Sequence, residues 1–99
     1  MHAAGAIKDG VAIDMTEEDF LTTLAAKARG TKWLYDALAR ERYAPDFLVM
    51  FSSVVAVLGN PGQANHAAAC GCMDALARYG RAMGLRTTSV NWGAWDRVG

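Results

Sequence analysis

The chain has 99 residues, enough for one small domain. It is 53% hydrophobic and 20% charged, an ordinary globular composition, and ten basic residues balance ten acidic ones, so no net field draws it to nucleic acid or an anionic membrane. No apolar run approaches the ~18 residues of a transmembrane helix, no signal-peptide pattern opens the chain, and Cys70 and Cys72 project in different directions from one helical segment, which argues against a bridge between them and suits a reducing cytoplasm.

In chain order, His2-Ala-Ala-Gly5 reads as the end of a strand whose beginning is missing. Thr16 then precedes Glu17, Glu18 and Asp19, a capping residue followed by acids favoured at a helix N-terminus. Phe20, Leu24, Lys27, Thr31, Leu34 and Leu38 recur at helical spacing and predict one helix over about residues 17–41, ended by Pro45. The apolar run Phe47-Leu-Val-Met-Phe51 predicts a strand covered on both faces of a parallel sheet. Asn60-Pro61-Gly62 marks a turn, with Pro61 placed to begin a second helix over about residues 63–83 that stops at Gly84. Thr87 to Asn91 has the β-branched content of a further strand. Strands alternating with helices imply right-handed crossovers, hence an α/β chain forming a β-α-β-α-β part of a Rossmann-like doubly wound parallel sheet. Both crossover helices would lie on one face, leaving apolar strand surface on the other. No G-x-G-x-x-G turn is present.

Several residues suggest chemistry. Lys27 falls on the apolar stripe of its helix, where an unpaired charge is expensive to bury. Either its stem packs and its ammonium snorkels to an edge, or the cation serves a site. Ser53 would lie just past the C-terminal end of its strand, where ligands of open α/β sheets bind. A serine there is either a turn cap or a hydroxyl that stabilises an oxyanion. His66 follows thirteen residues later on the second helix, as a hydrogen-bonded helix residue or a proton donor. Cys70 shares its face at i,i+4, but two converging ligands with Cys72 turned away make no metal site.

These features resemble the ketoreductase domains of modular polyketide synthases, within the short-chain dehydrogenase/reductase superfamily. The family text FSS…GxxGQxxYAAAN is matched by Phe51-Ser-Ser53 and Gly59-Asn-Pro-Gly-Gln63, followed by His66-Ala-Ala-Ala-Cys70. Its L-x-x-K-x-x-G is met by Leu24 to Gly30, its H-A-A-G by His2 to Gly5, and its N-W-G-x-W by Asn91 to Trp95. The resemblance implies residues 1–99 to be a partial ketoreductase domain, the catalytic half without the nucleotide-binding half. It implies NADPH-dependent reduction of a β-ketoacyl thioester on an acyl carrier protein, with Ser53 holding the carbonyl and residue 66 delivering the proton. Lys27 and Cys70 complete the implied catalytic set; Ala4, Gly5, Lys27, Asn91, Trp92 and Gly93 would meet the cofactor.

Two departures follow from the same comparison. His66 stands where the family carries its catalytic tyrosine, and Cys70 where it carries an asparagine. A tyrosine of pKa ~10, lowered by an adjacent ammonium, can protonate an alkoxide; imidazole is shorter, and a nearby Lys27 would hold it neutral. A thiol is also a poor substitute for an amide. Reduction is therefore expected to be impaired. The alternative is a non-catalytic remnant contributing interface surface among other synthase domains. The isolated chain is expected to bind NADPH weakly or not at all, and to self-associate through exposed sheet. Of the family's L-D-D triplet only Asp9 remains in Ile7-Lys8-Asp9, and Leu58 stands where another stereochemical group carries a tryptophan.

Overall fold

A computed structural model describes residues 1–96. Helix α1, Glu17–Leu24, starts at a capping box: Asp19 N–H donates to Thr16 Oγ1 at 3.1 Å, and Thr16 N–H donates to Asp19 Oδ2 at 3.4 Å. It continues through a π-helical stretch, Ala25–Arg29, into α2, Gly30–Arg40. The expected helix is therefore present but not uniformly α-helical. The deepest residues are Thr23, Lys27 and Thr31, all buried, whereas Phe20 and Leu24 are half-buried. The wider π turn resets the phase of the inward face, which a 3.6-residue period does not anticipate. The buried threonines bond back into their own helix, Thr31 Oγ1 to Lys27 O at 2.5 Å and Thr23 Oγ1 to Asp19 O at 3.3 Å.

Strand β1, Leu48–Ser53, pairs in parallel with β2, Thr87–Trp92, in a register that sets Ser52 opposite Asn91 and Ser53 opposite Trp92. On the other edge of β1 lies one isolated parallel bridge, His2 with Met50. His2 N–H donates to Val49 O at 2.8 Å, and Phe51 N–H to His2 O at 3.0 Å. Spatial order is thus the His2 stub, β1, β2.

Burial alternates along β1, with Leu48, Met50 and Ser52 buried and Val49, Phe51 and Ser53 half-buried. The expectation of a strand covered on both faces from Phe47 onward is corrected here: Phe47 precedes the strand and is 65% exposed. Short helix α3, Val55–Leu58, follows β1, and α4, Ala64–Ala82, returns the chain to β2. Asn60-Pro61-Gly62 is a turn, with Gly62 at φ 77°, so Pro61 does not open α4 as expected; Gln63 caps it. At the far end Gly84 has φ 92°, its N–H donating to Arg81 O at 3.1 Å and Leu85 N–H to Gly80 O at 2.9 Å, the glycine-terminated stop read from the sequence.

Leu48, Met50, Met73 and Ala77 form the core, with Leu34, Tyr35 and Leu38 packed against them. Both long helices therefore cover the same face of the sheet. Gly80 permits the closest approach of α4 to α2, because a Cβ there would lie 2.5 Å from Tyr35 Oη. Asn65, fully buried, ties the N-terminal segment down: its Nδ2 donates to Lys8 O at 2.8 Å and Thr23 Oγ1 at 3.0 Å.

Candidate active site

A cleft of about 670 Å³ opens at the C-terminal end of β1. Lys27 from the π-helical stretch, Ser53 from the end of β1, and His66 from the first turn of α4 all line it, with Trp92, Gly93 and Trp95 forming another side. A parallel α/β sheet offers its ligand crevice at this end, where strands stop and loops diverge. A second cleft, about 350 Å³ between the C-terminal parts of α2 and α4, is lined by Leu38, Tyr43, Tyr79 and Met83 among others; none of Lys27, Ser53 or His66 reaches it.

Lys27 does not snorkel. It is 8% exposed and its Nζ donates inward to Phe51 O at 2.6 Å. The same ammonium faces Gly5, where an added Cβ would lie 3.9 Å from Nζ. The wide π turn presents this lysine to the strand end, a placement often found at functional sites. Ser53 Oγ accepts from Val55 N–H at 3.2 Å, which starts α3. The cap and the cleft-lining role coincide, and the hydroxyl proton has no acceptor among the described residues.

His66 N–H donates to Asn65 Oδ1 at 2.8 Å, and the imidazole lies against Cys70, with Sγ 3.7 Å from Nε2 and 4.0 Å from Nδ1. Burial first, and the Lys27 cation second, hold His66 below the ordinary histidine range, with Asp9 partly opposing. Cys70 is fully buried behind His66 and does not line the cleft; burial pushes its thiol up, while Lys27 and Ser52 pull it partly back. No group of three or more His, Cys, Asp or Glu among the described residues can hold a metal ion.

Of the positions expected to meet a cofactor, Lys27, Trp92 and Gly93 line the cleft and Gly5 borders it through Lys27, whereas Ala4 is exposed and outside the lining. Trp92 stacks edge-on with Trp95 at 5.1 Å and tilts against Phe51 at 5.5 Å. Asn91 turns its amide away from the cleft, Nδ2 donating to Ser53 O at 3.0 Å and to Asp74 Oδ2 at 2.8 Å.

Comparison with known proteins gives the chain its family. A family model described as the KR domain matches residues 1–97. The chain belongs to the KR domain family. Polyketide synthase GfsA of Streptomyces halstedii is 46% identical over 99 residues, all of this chain and 1% of that protein. The crystal structure of an N-terminal ketoreductase from the macrolactin assembly line superposes with a TM-score of 0.89 at 44% identity, over 96% of this chain and 20% of that one. A short-chain dehydrogenase from Mycobacterium avium, 23% identical, superposes with a TM-score of 0.72 over 93% of this chain and 36% of its own, which shows the shared α/β fold. The chain thus spans about a fifth of the solved ketoreductase and a hundredth of the curated synthase.

Four polar residues of this ketoreductase segment escaped sequence reasoning. Gln63 lines the cleft and its Nε2 donates to both carboxylate oxygens of Asp9, at 3.3 and 3.2 Å. Asn65 anchors the N-terminal segment. Ser52 Oγ, buried, donates to Cys70 O at 3.3 Å and accepts from Asn91 Nδ2 at 3.2 Å. Asp74 receives Ser89 and Asn91. The available signal for Asp74 was an acid two turns beyond His66, next to the buried Met73, on a helix whose buried residues carry no charge.

Proposed function

We propose that the cleft is the carbonyl-reducing part of a β-ketoacyl reductase acting on an acyl carrier protein thioester, with His66 a weakened proton donor. One observation carries it: Lys27, Ser53 and His66, from three separate elements, line one cleft at the end of β1. The Ser53 hydroxyl donates to the substrate carbonyl and stabilises the charge that develops on its oxygen. Bound NADPH supplies the hydride. Lys27 and Gly5 border a wall flanked by Trp92 and Gly93, which fits the nicotinamide and ribose end of a dinucleotide. No glycine-rich strand-turn-helix for the pyrophosphate lies in this sequence, so the isolated chain binds NADPH weakly.

The remaining step is protonation of the oxygen. Neutral imidazole is a poor acid, so His66 acts when protonated, directly or through a water, and its lowered pKa makes that form scarce at neutral pH. Two free cysteines suit work in the reducing cytoplasm, alongside other synthase domains. The half-buried outer face of β1 supports self-association of the isolated chain.

A second reading, a non-catalytic remnant, is favoured by the engagement of the His66 ring with the buried Cys70 thiol. Incubation with NADPH and a β-ketoacyl thioester mimic decides between them. Cofactor consumption above background, matched by β-hydroxy product, supports the reductase; reduction that appears only after His66→Tyr with Cys70→Asn in a full-length context supports the remnant.

A further inference from the structure

Asp74 lies on α4 outside the cleft, yet a hydrogen-bond path runs from its carboxylate to the serine at the cleft's edge. Ser89 Oγ donates to Asp74 Oδ1 at 2.5 Å, and Asn91 Nδ2 donates to Asp74 Oδ2 at 2.8 Å. The same nitrogen lies 3.0 Å from Ser53 O and 3.2 Å from Ser52 Oγ. An amide nitrogen has two hydrogens, so three acceptors are served only with one hydrogen shared. Rotating that amide by half a turn would set its oxygen against a carboxylate and a peptide carbonyl. The carboxylate therefore decides which way Asn91 points.

The peptide joining Ser53 to Val54 is held on both edges by consecutive residues of β2. Its carbonyl accepts from Asn91, and its N–H donates to Trp92 O at 3.0 Å. Ser53 Oγ in turn accepts from Val55 N–H. Setting this peptide sets where α3 begins and where the serine hydroxyl points.

We propose that Asp74 is a positioning residue, orienting the Asn91 amide and through it the Ser53–Val54 peptide that aims the Ser53 hydroxyl into the cleft. The inference rests on Ser53 being the carbonyl-binding group. Such a group has to be placed within about 0.5 Å of its productive position, and a shift of about 1 Å costs on the order of a hundredfold in rate. A strand end followed at once by a four-residue helix lacks the rigidity to do this unaided.

Amide hydrogen exchange of the whole chain, followed by NMR, tests the placement without any reductase assay. In D74A and N91A, exchange at Val54 and Val55 should speed up about tenfold or more while Ala77 in α4 stays protected. D74N should restore protection, because an asparagine can offer its oxygen to Asn91 and its nitrogen to Ser89 Oγ. The Asn91 side-chain NH2 resonances should shift in D74A and return in D74N. Unchanged exchange at Val54 and Val55 in both D74A and N91A overturns the proposal. So does loss of protection throughout D74A, since Asp74 would then serve overall stability, and so does a D74N chain that behaves like D74A. If the exchange signature appears in a chain that reduces no ketone even when joined to a nucleotide-binding half, the clamp stands and the reductase reading falls.

Discussion

Replacing Asn65 with alanine should destabilise the chain by roughly 3 kcal/mol, taking about 1 kcal/mol net for each of three hydrogen bonds. The side chain is fully buried; its Nδ2 donates to Lys8 O at 2.8 Å and Thr23 Oγ1 at 3.0 Å, and its Oδ1 accepts from His66 N–H at 2.8 Å. A fourth contact, Asp19 O at 3.4 Å, shares a hydrogen already used and adds little. Water entering the vacated space would lower the cost to about 2 kcal/mol, and an unsatisfied Lys8 carbonyl would raise it to about 4 kcal/mol. Against the roughly 5–15 kcal/mol of a typical domain this is a large share, worth about 10–25 °C in melting temperature. Urea unfolding followed by far-ultraviolet circular dichroism measures it. The segment from His2 to Gly10 should loosen first, seen as faster exchange of Gly10 N–H, which donates to Gly62 O at 2.8 Å. An alanine variant within about 0.5 kcal/mol of the parent would refute the reasoning and detach Asn65 from the support of Gly5 and Ile7 beside the cleft.

Arg42, just past the C-cap of α2, has φ 51°, so Arg42→Gly should stabilise by about 0.5–1 kcal/mol, read as a higher urea midpoint at unchanged slope. Gly80→Ala should cost about 1–3 kcal/mol, because its Cβ meets Tyr35 Oη, and adding Tyr35→Phe should recover part of it; equal costs with and without that hydroxyl would contradict the clash. His2 and His66 are both held below the ordinary value of 6.5, by burial first and Lys27 second. Their neutral forms favour the fold, so stability is full above that value and declines as pH falls below it towards the folded pKa. Urea midpoints at about pH 7.5 and about pH 5.5 should differ less in a His2→Gln, His66→Gln double variant, and an equal difference would show that other groups govern the acid side.

Element types were legible because their local signals were strong: a capping threonine followed by acids at Thr16, a glycine stop at Gly84, β-branched residues from Thr87. The π-helical stretch was not, since an apolar stripe at 3.6-residue spacing carries no mark of one wider turn. Helix α3, four residues long, is too short to show a period. Phe47 looked like strand because it continues an apolar run, and only the register, with Leu48 opposite Thr87, leaves it outside. The cleft-lining side chains Lys27, Ser53 and His66 could be named from motif order. The Asp74–Asn91–Ser52 connection could not, because it depends on Ser52 and Asn91 being cross-strand partners, a fact of tertiary register.

The central claim, that this is a ketoreductase cleft limited by its proton donor, is tested most directly by the pH dependence of β-ketoacyl thioester reduction with NADPH. The assay compares the parent with a His66→Tyr, Cys70→Asn double variant, each joined to a nucleotide-binding half so that cofactor binding does not limit the rate. With His66 the rate should climb as pH falls from about 8 towards 6, following the protonated imidazole. The double variant should be faster at neutral pH and flatter over that range, because a phenol, ordinarily of pKa ~10, keeps more of its proton there than the imidazole does even with Lys27 beside it. A parent rate that rises with pH, or a double variant no faster than the parent at neutral pH, would contradict the assignment of residue 66 as the proton donor.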